Sequence, residues 1–213
     1  MLITLEGIEG SGKSTQIPHI TRFLNACGHQ CVITKEPGGT RIGGQIRSIL
    51  LDPVNSDMDP VAELLLYAAD RKQHLQELIR PSLAAGKTVI CDRFHDSTTA
   101  YQGFSRALDK ALIHDLNRWV LADVNPDITF LLDLEPAVGL RRAWQEVYQG
   151  GRTQQETRFE NEDLFFHQKV REGYLELARQ EPERFVVVDA AADENSVTAA
   201  LLDALAEKIE IAV

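Results

Sequence analysis

A glycine-rich segment near the start of the chain constrains the fold more than any other feature. Residues 7–14 read Gly-Ile-Glu-Gly-Ser-Gly-Lys-Ser and match the pattern G-x-x-x-x-G-K-[ST]. A β-prone apolar run precedes them, and residues 15–26 carry apolar side chains at helical spacing. A strand, a glycine loop and a helix in this order form a phosphate-binding cradle. The segment therefore predicts a nucleoside triphosphate site, against the alternative of a chance match to a common kind of loop.

The residue types of this loop have defined tasks in such a cradle. Glycines let the backbone curl so that its N–H groups point at phosphate oxygens. Lys13 is expected to reach the β- and γ-phosphates, and Ser14 is expected to hold Mg²⁺ through its hydroxyl. The other nucleotide contacts are expected along the loop and the first helical turn, at Gly7, Ile8, Glu9, Gly10, Ser11, Gly12 and Thr15.

Composition indicates a single globular domain over residues 1–213, because no linker, repeat or low-complexity tract divides the 213 residues. The net charge of −10 argues against general nucleic-acid or acidic-membrane binding. No apolar run approaches a membrane span and no basic leader precedes the first strand, so we expect a cytoplasmic protein. Cys27, Cys31 and Cys91 are too few for a disulfide framework and are expected to be small buried residues.

Predicted strands alternate with predicted helices along the whole chain. This order favours an α/β fold, with a five-stranded parallel sheet wrapped by helices on both faces. The predicted strands are 2–6, 30–35, 88–92, 128–134 and 185–189. The predicted helices lie near 13–27, 41–51, 60–85, 107–122, 136–148, 160–180 and 195–211, and Pro81 should kink the third or end its regular part. Ligands of parallel sheets bind at the carboxyl ends of the strands, where polar residues are therefore candidates.

Residues 149–158 are polar, glycine-rich and almost free of apolar anchors. Two interpretations remain open for them, a flexible helix–helix connection or a mobile lid over a phosphate site. We take a lid segment at about 141–160.

Further polar and aromatic residues follow the predicted strands and indicate a nucleotide pocket. Tyr67 and Arg71 are four apart and share one helix face. An aromatic ring can stack on a base, and arginine forks can hold a phosphate or a base carbonyl. An Asn-Lys-x-Asp guanine-reading motif is absent, and Ile42-Gly43-Gly44-Gln45 lies too soon after the loop for a transporter signature. The candidate substrate-binding residues are Glu36, Pro37, Arg47, Tyr67, Arg71, Arg93, Thr98, Tyr101 and Gln102.

Over nearly its whole length the chain resembles the thymidylate kinase family. The resemblance rests on the glycine loop, the E-P-G-G-T segment at 36–40, the Y-A-A-D-R helix at 67–71, the D-R-F and T-A-Y-Q-G block at 92–103, and R-F-E at 158–160. It implies transfer of the γ-phosphoryl group of ATP to dTMP, giving dTDP, with Mg²⁺ and in a homodimer. Besides these substrates and a second copy of the chain, we expect the protein to bind neither nucleic acid nor a membrane.

The resemblance also implies roles for single residues. Glu9 would orient the sugar 3′-hydroxyl and the metal region, and Arg93 with Arg47 would clamp the dTMP phosphate. Tyr67 stands where the family usually has a stacking phenylalanine. The remaining implied roles are a thymine carbonyl contact for Arg71, base reading for Thr98 and Gln102, and a preference for deoxyribose set by Tyr101. Asp92 ends an apolar strand as a Walker-B-like acid does, which makes it a direct or water-bridged Mg²⁺ ligand.

The glycine loop does not provide a basic residue between positions 8 and 11 to neutralise the charge of the transition state. Residues 8–11 contain no cation, so the charge must come from the lid, as in the bacterial-type enzymes that the chain resembles. We favour Arg152, flanked by Gly150 and Gly151, with Arg142 and Arg158 as the alternatives. One alternative is a deoxynucleoside kinase, but such an enzyme would not need the phosphate clamp of Arg47 and Arg93. Another is a nucleotide-binding regulator without catalysis, which would be expected to lose Lys13 or the lid arginines, and all of these are present.

Overall fold

The structure, a computed structural model, describes residues 1–151 and 153–211, with side chains up to residue 209. Its centre is one parallel sheet in the order β2-β3-β1-β4-β5. The strands are β1 (Leu2–Glu6), β2 (Cys31–Lys35), β3 (Thr88–Asp92), β4 (Ile128–Asp133) and β5 (Phe185–Asp189). β1 pairs with both β3 and β4, so the glycine loop that follows it leaves from the middle of the sheet. The predicted five-stranded parallel sheet is confirmed.

Helices cover both faces of this sheet, as predicted. Alternate residues of β3 enter different apolar clusters: Ile90 packs with the α1 cluster, whereas Val89 and Cys91 pack with Leu75 and Val120. The helices are α1 (Lys13–Ala26), α2 (Arg41–Leu51), α3 (Pro60–His74), α4 (Arg80–Ala84), α5 (His95–Thr98), α6 (Lys110–Leu121), α7 (Pro136–Tyr148), α8 (Leu164–Gln180) and α9 (Glu194–Ile211).

The long helix predicted at 60–85 is divided. Its regular part ends at His74, a π-helical segment Leu75–Ile79 follows, and α4 completes it. Pro81 lies in α4 directly after the π-helical segment, and it has no N–H to donate back into that segment. The predicted helix is thus interrupted, but the interruption begins before Pro81 and α4 continues through it; a kink at Pro81 stays a prediction.

One helical region was not predicted at all. α5 continues directly into a π-helical segment, Thr99–Ser105, where the sequence shows a run of hydroxyl residues. This region packs on α8, and Gly173 makes the approach possible because a Cβ there would lie 2.8 Å from the Phe104 ring. Tertiary packing overrides weak local helix propensity here.

The starts of two later helices were predicted a few residues early. α6 begins at Lys110 rather than 107, after Asp109, whose side chain accepts from Ala111 N at 2.8 Å. α8 begins at Leu164 rather than 160, because Asp163 caps it by accepting from Phe166 N at 2.7 Å.

Two further observations concern surface and cysteines. Among the described residues, none of the helices combines the length and apolar character needed to cross a membrane. Cys91 is buried as expected, Cys31 is only partly buried, and Cys27 is exposed, so the expectation was wrong for Cys27. It lies at the carboxyl end of α1, where the chain turns at the surface.

Candidate active site

The glycine loop connects β1 to α1 and lies against the first turns of α7. Gly10 and Gly12 have φ values of 69° and 95°, which side-chain-bearing residues rarely adopt. A Cβ on Gly10 would collide with the carbonyl oxygen of Gly139, and a Cβ on Gly139 would collide with that of Glu9. The two glycines therefore allow backbone-to-backbone contact between the loop and α7.

The Lys13 side chain is held inside the loop by carbonyl groups of the loop backbone. Its Nζ donates to the carbonyl oxygens of Gly7 and Ile8, both at 3.0 Å, and lies 3.3 Å from Ser11 Oγ. Burial lowers the pKa of Lys13 to about 8, and the nearby Arg93 guanidinium adds to this effect. The ammonium group is thus placed at the wall of the cavity and lacks a carboxylate hydrogen-bonded to it within the described chain.

A cavity of about 360 Å³ opens at the carboxyl ends of β1, β2 and β3. It collects the predicted residues Glu9, Gly10, Ser11, Gly12, Lys13, Ser14, Glu36, Pro37, Arg47, Tyr67, Arg71, Asp92, Arg93, Thr98, Tyr101 and Gln102. Gly7, Ile8 and Thr15 adjoin it but do not line it. Sequence reasoning missed the lining residues Lys35, Leu51, Phe94, Ser97, Glu146 and Phe159.

The two arginines of the predicted phosphate clamp both line the cavity. Arg93 has a left-handed backbone, with φ of 67°, at the end of β3. Its Nη2 donates to Glu9 Oε1 at 3.0 Å, and its Nη1 donates to the Tyr174 hydroxyl at 3.1 Å. Arg47 reaches the single turn Gln154–Glu156 from α2, donating to both carboxylate oxygens of Glu156 at 3.0 and 2.8 Å. Of the predicted phosphate clamp, Arg47 therefore faces a carboxylate of the lid segment.

Glu9 is surrounded by donors although it belongs to a phosphate loop. Its Oε1 accepts from Arg93 and from the Tyr101 hydroxyl at 2.5 Å, and its Oε2 lies 3.3 Å from His167 Nδ1. Burial alone would raise the pKa of Glu9, but Arg93, His167 and Tyr101 outweigh it and lower the pKa. Glu9 is therefore ionised. His167 was missed because a single histidine in a predicted helix carries no motif.

The residues predicted to read the base include buried polar atoms without a hydrogen-bond partner among the described residues. Arg71 is 1% exposed and donates from Nε to Glu36 Oε2 at 2.8 Å and from Nη2 to the Phe94 carbonyl at 3.1 Å. Within the described chain, Arg71 Nη1 and Thr98 Oγ1 are buried without a hydrogen-bond partner. Gln102 donates its amide nitrogen to Glu63 at 2.7 Å, which leaves its amide oxygen as an acceptor. Glu36 lines the cavity, and its two carboxylate oxygens contact Arg71 Nε at 2.8 Å and His74 Nδ1 at 2.9 Å.

Asp92 and Ser14 have the chemistry that the predicted Mg²⁺ site needs. Both line the cavity, and Asp92 Oδ1 is buried with no hydrogen-bond partner in the described residues. No group of three or more His, Cys, Asp or Glu in that part of the chain could hold a metal ion by itself. Mg²⁺ commonly takes one or two protein oxygens together with phosphates and water. The donor set therefore fits a phosphate-bound Mg²⁺.

The lid arginines that the structure describes do not line the cavity. The Arg158 side chain is 2% exposed and bonds Asn55 O, Leu50 O and Glu63 Oε2 at 3.1, 3.0 and 2.5 Å. Arg142 donates to the Ala190 carbonyl, after β5, at 3.1 Å. The structure thus places the predicted catalytic side chains Arg142 and Arg158 away from the cavity, Arg158 in a buried ion pair. Arg152 lies outside the described residues.

A glycine loop between a parallel strand and a helix, with arginines and carboxylates lining the same cavity, defines the site of a P-loop phosphotransferase. The family model described as thymidylate kinase matches residues 5–201. Thymidylate kinase of Desulfosudis oleivorans is 57% identical over 96% of both chains, and that of Trichlorobacter lovleyi is 48% identical over 100% of both. The crystal structure of thymidylate kinase from Ehrlichia chaffeensis superposes with a TM-score of 0.76 at 35% identity, covering 96% of this chain and 98% of that one. The chain belongs to the thymidylate kinase family.

Proposed function

We propose that this protein transfers the γ-phosphoryl group of ATP to dTMP, giving dTDP and ADP. The observation that carries the proposal is the cavity itself, which joins a triphosphate cradle to a base pocket with unpaired polar atoms. The family assignment and the full-length similarity to thymidylate kinases support the same reaction.

At the donor end, the loop N–H groups and Lys13 receive the ATP phosphates. Ser14 and Asp92 would hold Mg²⁺, which would supply positive charge to neutralise the phosphates. Lys13 exchanges its bonds to the loop carbonyls for phosphate oxygens. No covalent enzyme intermediate is needed, because the chemistry consists of positioning and charge neutralisation.

At the acceptor end, Arg93 and Arg47 hold the dTMP phosphate, which takes the place of the Glu156 carboxylate on Arg47. Glu9 orients the sugar 3′-hydroxyl and Tyr101 disfavours a 2′-hydroxyl. Tyr67 stacks on the base. These roles follow the family resemblance and are compatible with the positions of all five side chains on the cavity wall.

The base pocket favours thymine over cytosine by its donors and acceptors. Arg71 Nη1 donates to the O4 carbonyl, the Gln102 amide oxygen accepts from N3–H, and the Thr98 hydroxyl completes the contacts to the base. Cytosine would present an amine to the arginine and a bare nitrogen to the glutamine. Each mismatch leaves a buried polar atom unpaired, which costs about 1–3 kcal/mol.

The lid supplies the positive charge that the loop lacks at residues 8–11. We assign this role to Arg152. Support comes from its two flanking glycines and from the positions of Arg142 and Arg158, whose described bonds engage them elsewhere.

The reaction is tested by a coupled assay with ATP and a panel of nucleoside monophosphates. We expect dTMP to be the best acceptor, dUMP to be weaker, and dCMP, dGMP and dAMP to be poor. Thymidine should not be phosphorylated, because it offers no phosphate to the arginines. Turnover of dCMP, of a purine monophosphate or of thymidine that is faster than turnover of dTMP would refute the proposal.

We further propose a cytoplasmic homodimer. Supporting it, the adjacent helices α2, α3 and α6 expose large apolar side chains, among them Ile49 at 47%, Leu65 at 55% and Trp119 at 76%. Leu65→Asp should shift the sedimentation coefficient from dimer to monomer. Val187→Asp, at an equally exposed position on β5, is the matched control and should not. A monomeric wild type would refute this part.

A further inference from the structure

We propose that His167 is a positioning residue for Glu9, fixing the carboxylate that orients the acceptor. The inference rests on the proposed function for the role of Glu9. His167 is fully buried in α8 and does not line the cavity. Its ring lies between the Phe159 carbonyl on one side and the Glu9 carboxylate on the other.

The hydrogen bonds of the ring determine where its protons are. His167 Nε2 lies 3.0 Å from the Phe159 carbonyl oxygen, and a carbonyl can only accept, so Nε2 carries a hydrogen. Nδ1 then lies 3.3 Å from Glu9 Oε2. In a neutral ring Nδ1 would present a lone pair to a carboxylate oxygen, which is repulsive. A second proton on Nδ1 turns this contact into an ion pair.

The surroundings of the ring favour this imidazolium. Burial lowers the pKa of His167, but the Glu9 carboxylate, the Phe159 carbonyl and the Glu160 carboxylate outweigh it and raise the pKa. Glu9 Oε2 and His167 Nδ1 are both buried and lie 3.3 Å apart, and neither atom has a hydrogen-bond partner within the described chain. Each is therefore the natural partner of the other.

Holding Oε2 has a consequence for the acid. Glu9 Oε1 already accepts from Arg93 and Tyr101, so those two donors fix one oxygen only. A partner on Oε2 fixes the rotation of the carboxylate plane. Since Phe159 lines the cavity and follows the lid turn, His167 also connects the glycine loop with the end of the lid segment.

Two near-isosteric variants separate the two contacts of the ring. The amide of His167→Asn falls near Nδ1 and can still donate to Glu9, whereas the longer His167→Gln places its amide near Nε2 and can still donate to Phe159. We expect His167→Asn to keep kcat for dTMP within about threefold of the wild type. His167→Gln should lose about tenfold or more in kcat with little change in KM for ATP, the size expected for a lost charge-assisted hydrogen bond. In a Glu9→Gln background, His167→Gln should cost less than about twofold, because coupled residues are not additive.

Three results would overturn the proposal. The first is a loss of kcat in His167→Asn but not in His167→Gln, and the second is an equal loss of kcat in both variants. The third is an effect of His167→Gln on kcat that is as large in the Glu9→Gln background as in the wild type. A readout without substrate keeps the inference separate from the proposed function. In ¹⁵N spectra of the wild type, both ring nitrogens of His167 should be protonated, and in Glu9→Gln only Nε2 should be. A neutral ring in the wild type would also overturn the proposal, whichever monophosphate the enzyme uses.

Discussion

The buried ion pair between Arg158 and Glu63 gives a prediction about stability that also decides between two roles for this arginine. Their side chains are 2% and 0% exposed. Replacing Arg158 by Met removes the hydrogen bonds to Leu50 O, Asn55 O and Glu63 while keeping most of the volume. Breaking a buried pair by removing one partner costs about 3–5 kcal/mol.

The cost should lie near the lower end of that range. Glu63 keeps a 2.7 Å bond from Gln102 and weaker contacts from Arg106 at 3.4 and 3.5 Å, so its charge is not left alone. For a chain of this length, about 3 kcal/mol corresponds to a fall of roughly 6–12 °C in Tm. Circular dichroism melts at fixed protein concentration measure this directly, since a dimer makes Tm depend on concentration.

Matched controls make the result decisive. Arg142→Met removes one bond to a carbonyl from a half-buried side chain and should lower Tm by only about 1–3 °C. Arg158→Met in a Glu63→Gln background should cost less than Arg158→Met alone, because the neutral amide needs no counter-charge. At 25 °C the Arg158→Met enzyme should keep kcat within about threefold. An unchanged Tm with a hundredfold loss in kcat would refute the structural role and return Arg158 to the transition state.

Four further outcomes are expected. Arg71→Ala should lower the ratio of kcat/KM for dTMP over dCMP by about tenfold or more in steady-state assays; an unchanged ratio would contradict the base pocket. Lys13→Ala should abolish turnover while circular dichroism shows an intact fold, and an active variant would contradict the cradle. Burial and Glu36 raise the pKa of Asp70 to about 6, so its stabilising contribution is lost as pH rises from about 4 through 6. The free energy of unfolding in urea should therefore be higher for Asp70→Asn than for the wild type at pH 7, but not near pH 4. A variant that is stabilised near pH 4 but not at pH 7 would contradict this reasoning. Arg152→Ala should lower kcat at least about a hundredfold with little change in KM for dTMP, and a loss below about fivefold would exclude it.

The sequence was sufficient for the sheet and for most of the cavity wall. The glycine loop and the residues that end β2 and β3 are local in sequence, and a parallel sheet brings its carboxyl ends to one edge. The predicted substrate set therefore lies in the cavity, from Glu36 to Gln102. These are positions where a short motif and a strand end coincide.

What the sequence could not provide depends on long-range contacts. Nothing local distinguishes Arg158, which is paired to Glu63 some 95 residues away, from an arginine on a mobile lid. His167 meets Glu9 only because α8 folds back over the glycine loop. The hydroxyl run at 97–99 has weak helix propensity, and its helix exists because it packs on α8. Each of these features needs the tertiary structure.

The contact between Gly10 and Gly139 limits how the active site can vary in evolution. Each position is closed by a main-chain atom of the other segment, so no shortening of a neighbouring side chain can make room for a methyl group. A second-site change therefore cannot rescue alanine at either glycine, unlike most crowded positions in a core. In a library randomised at both positions together, functional clones should contain glycine at both. The contact between the glycine loop and α7 is thus expected to stay fixed, whereas the rest of the lid segment is free to diverge.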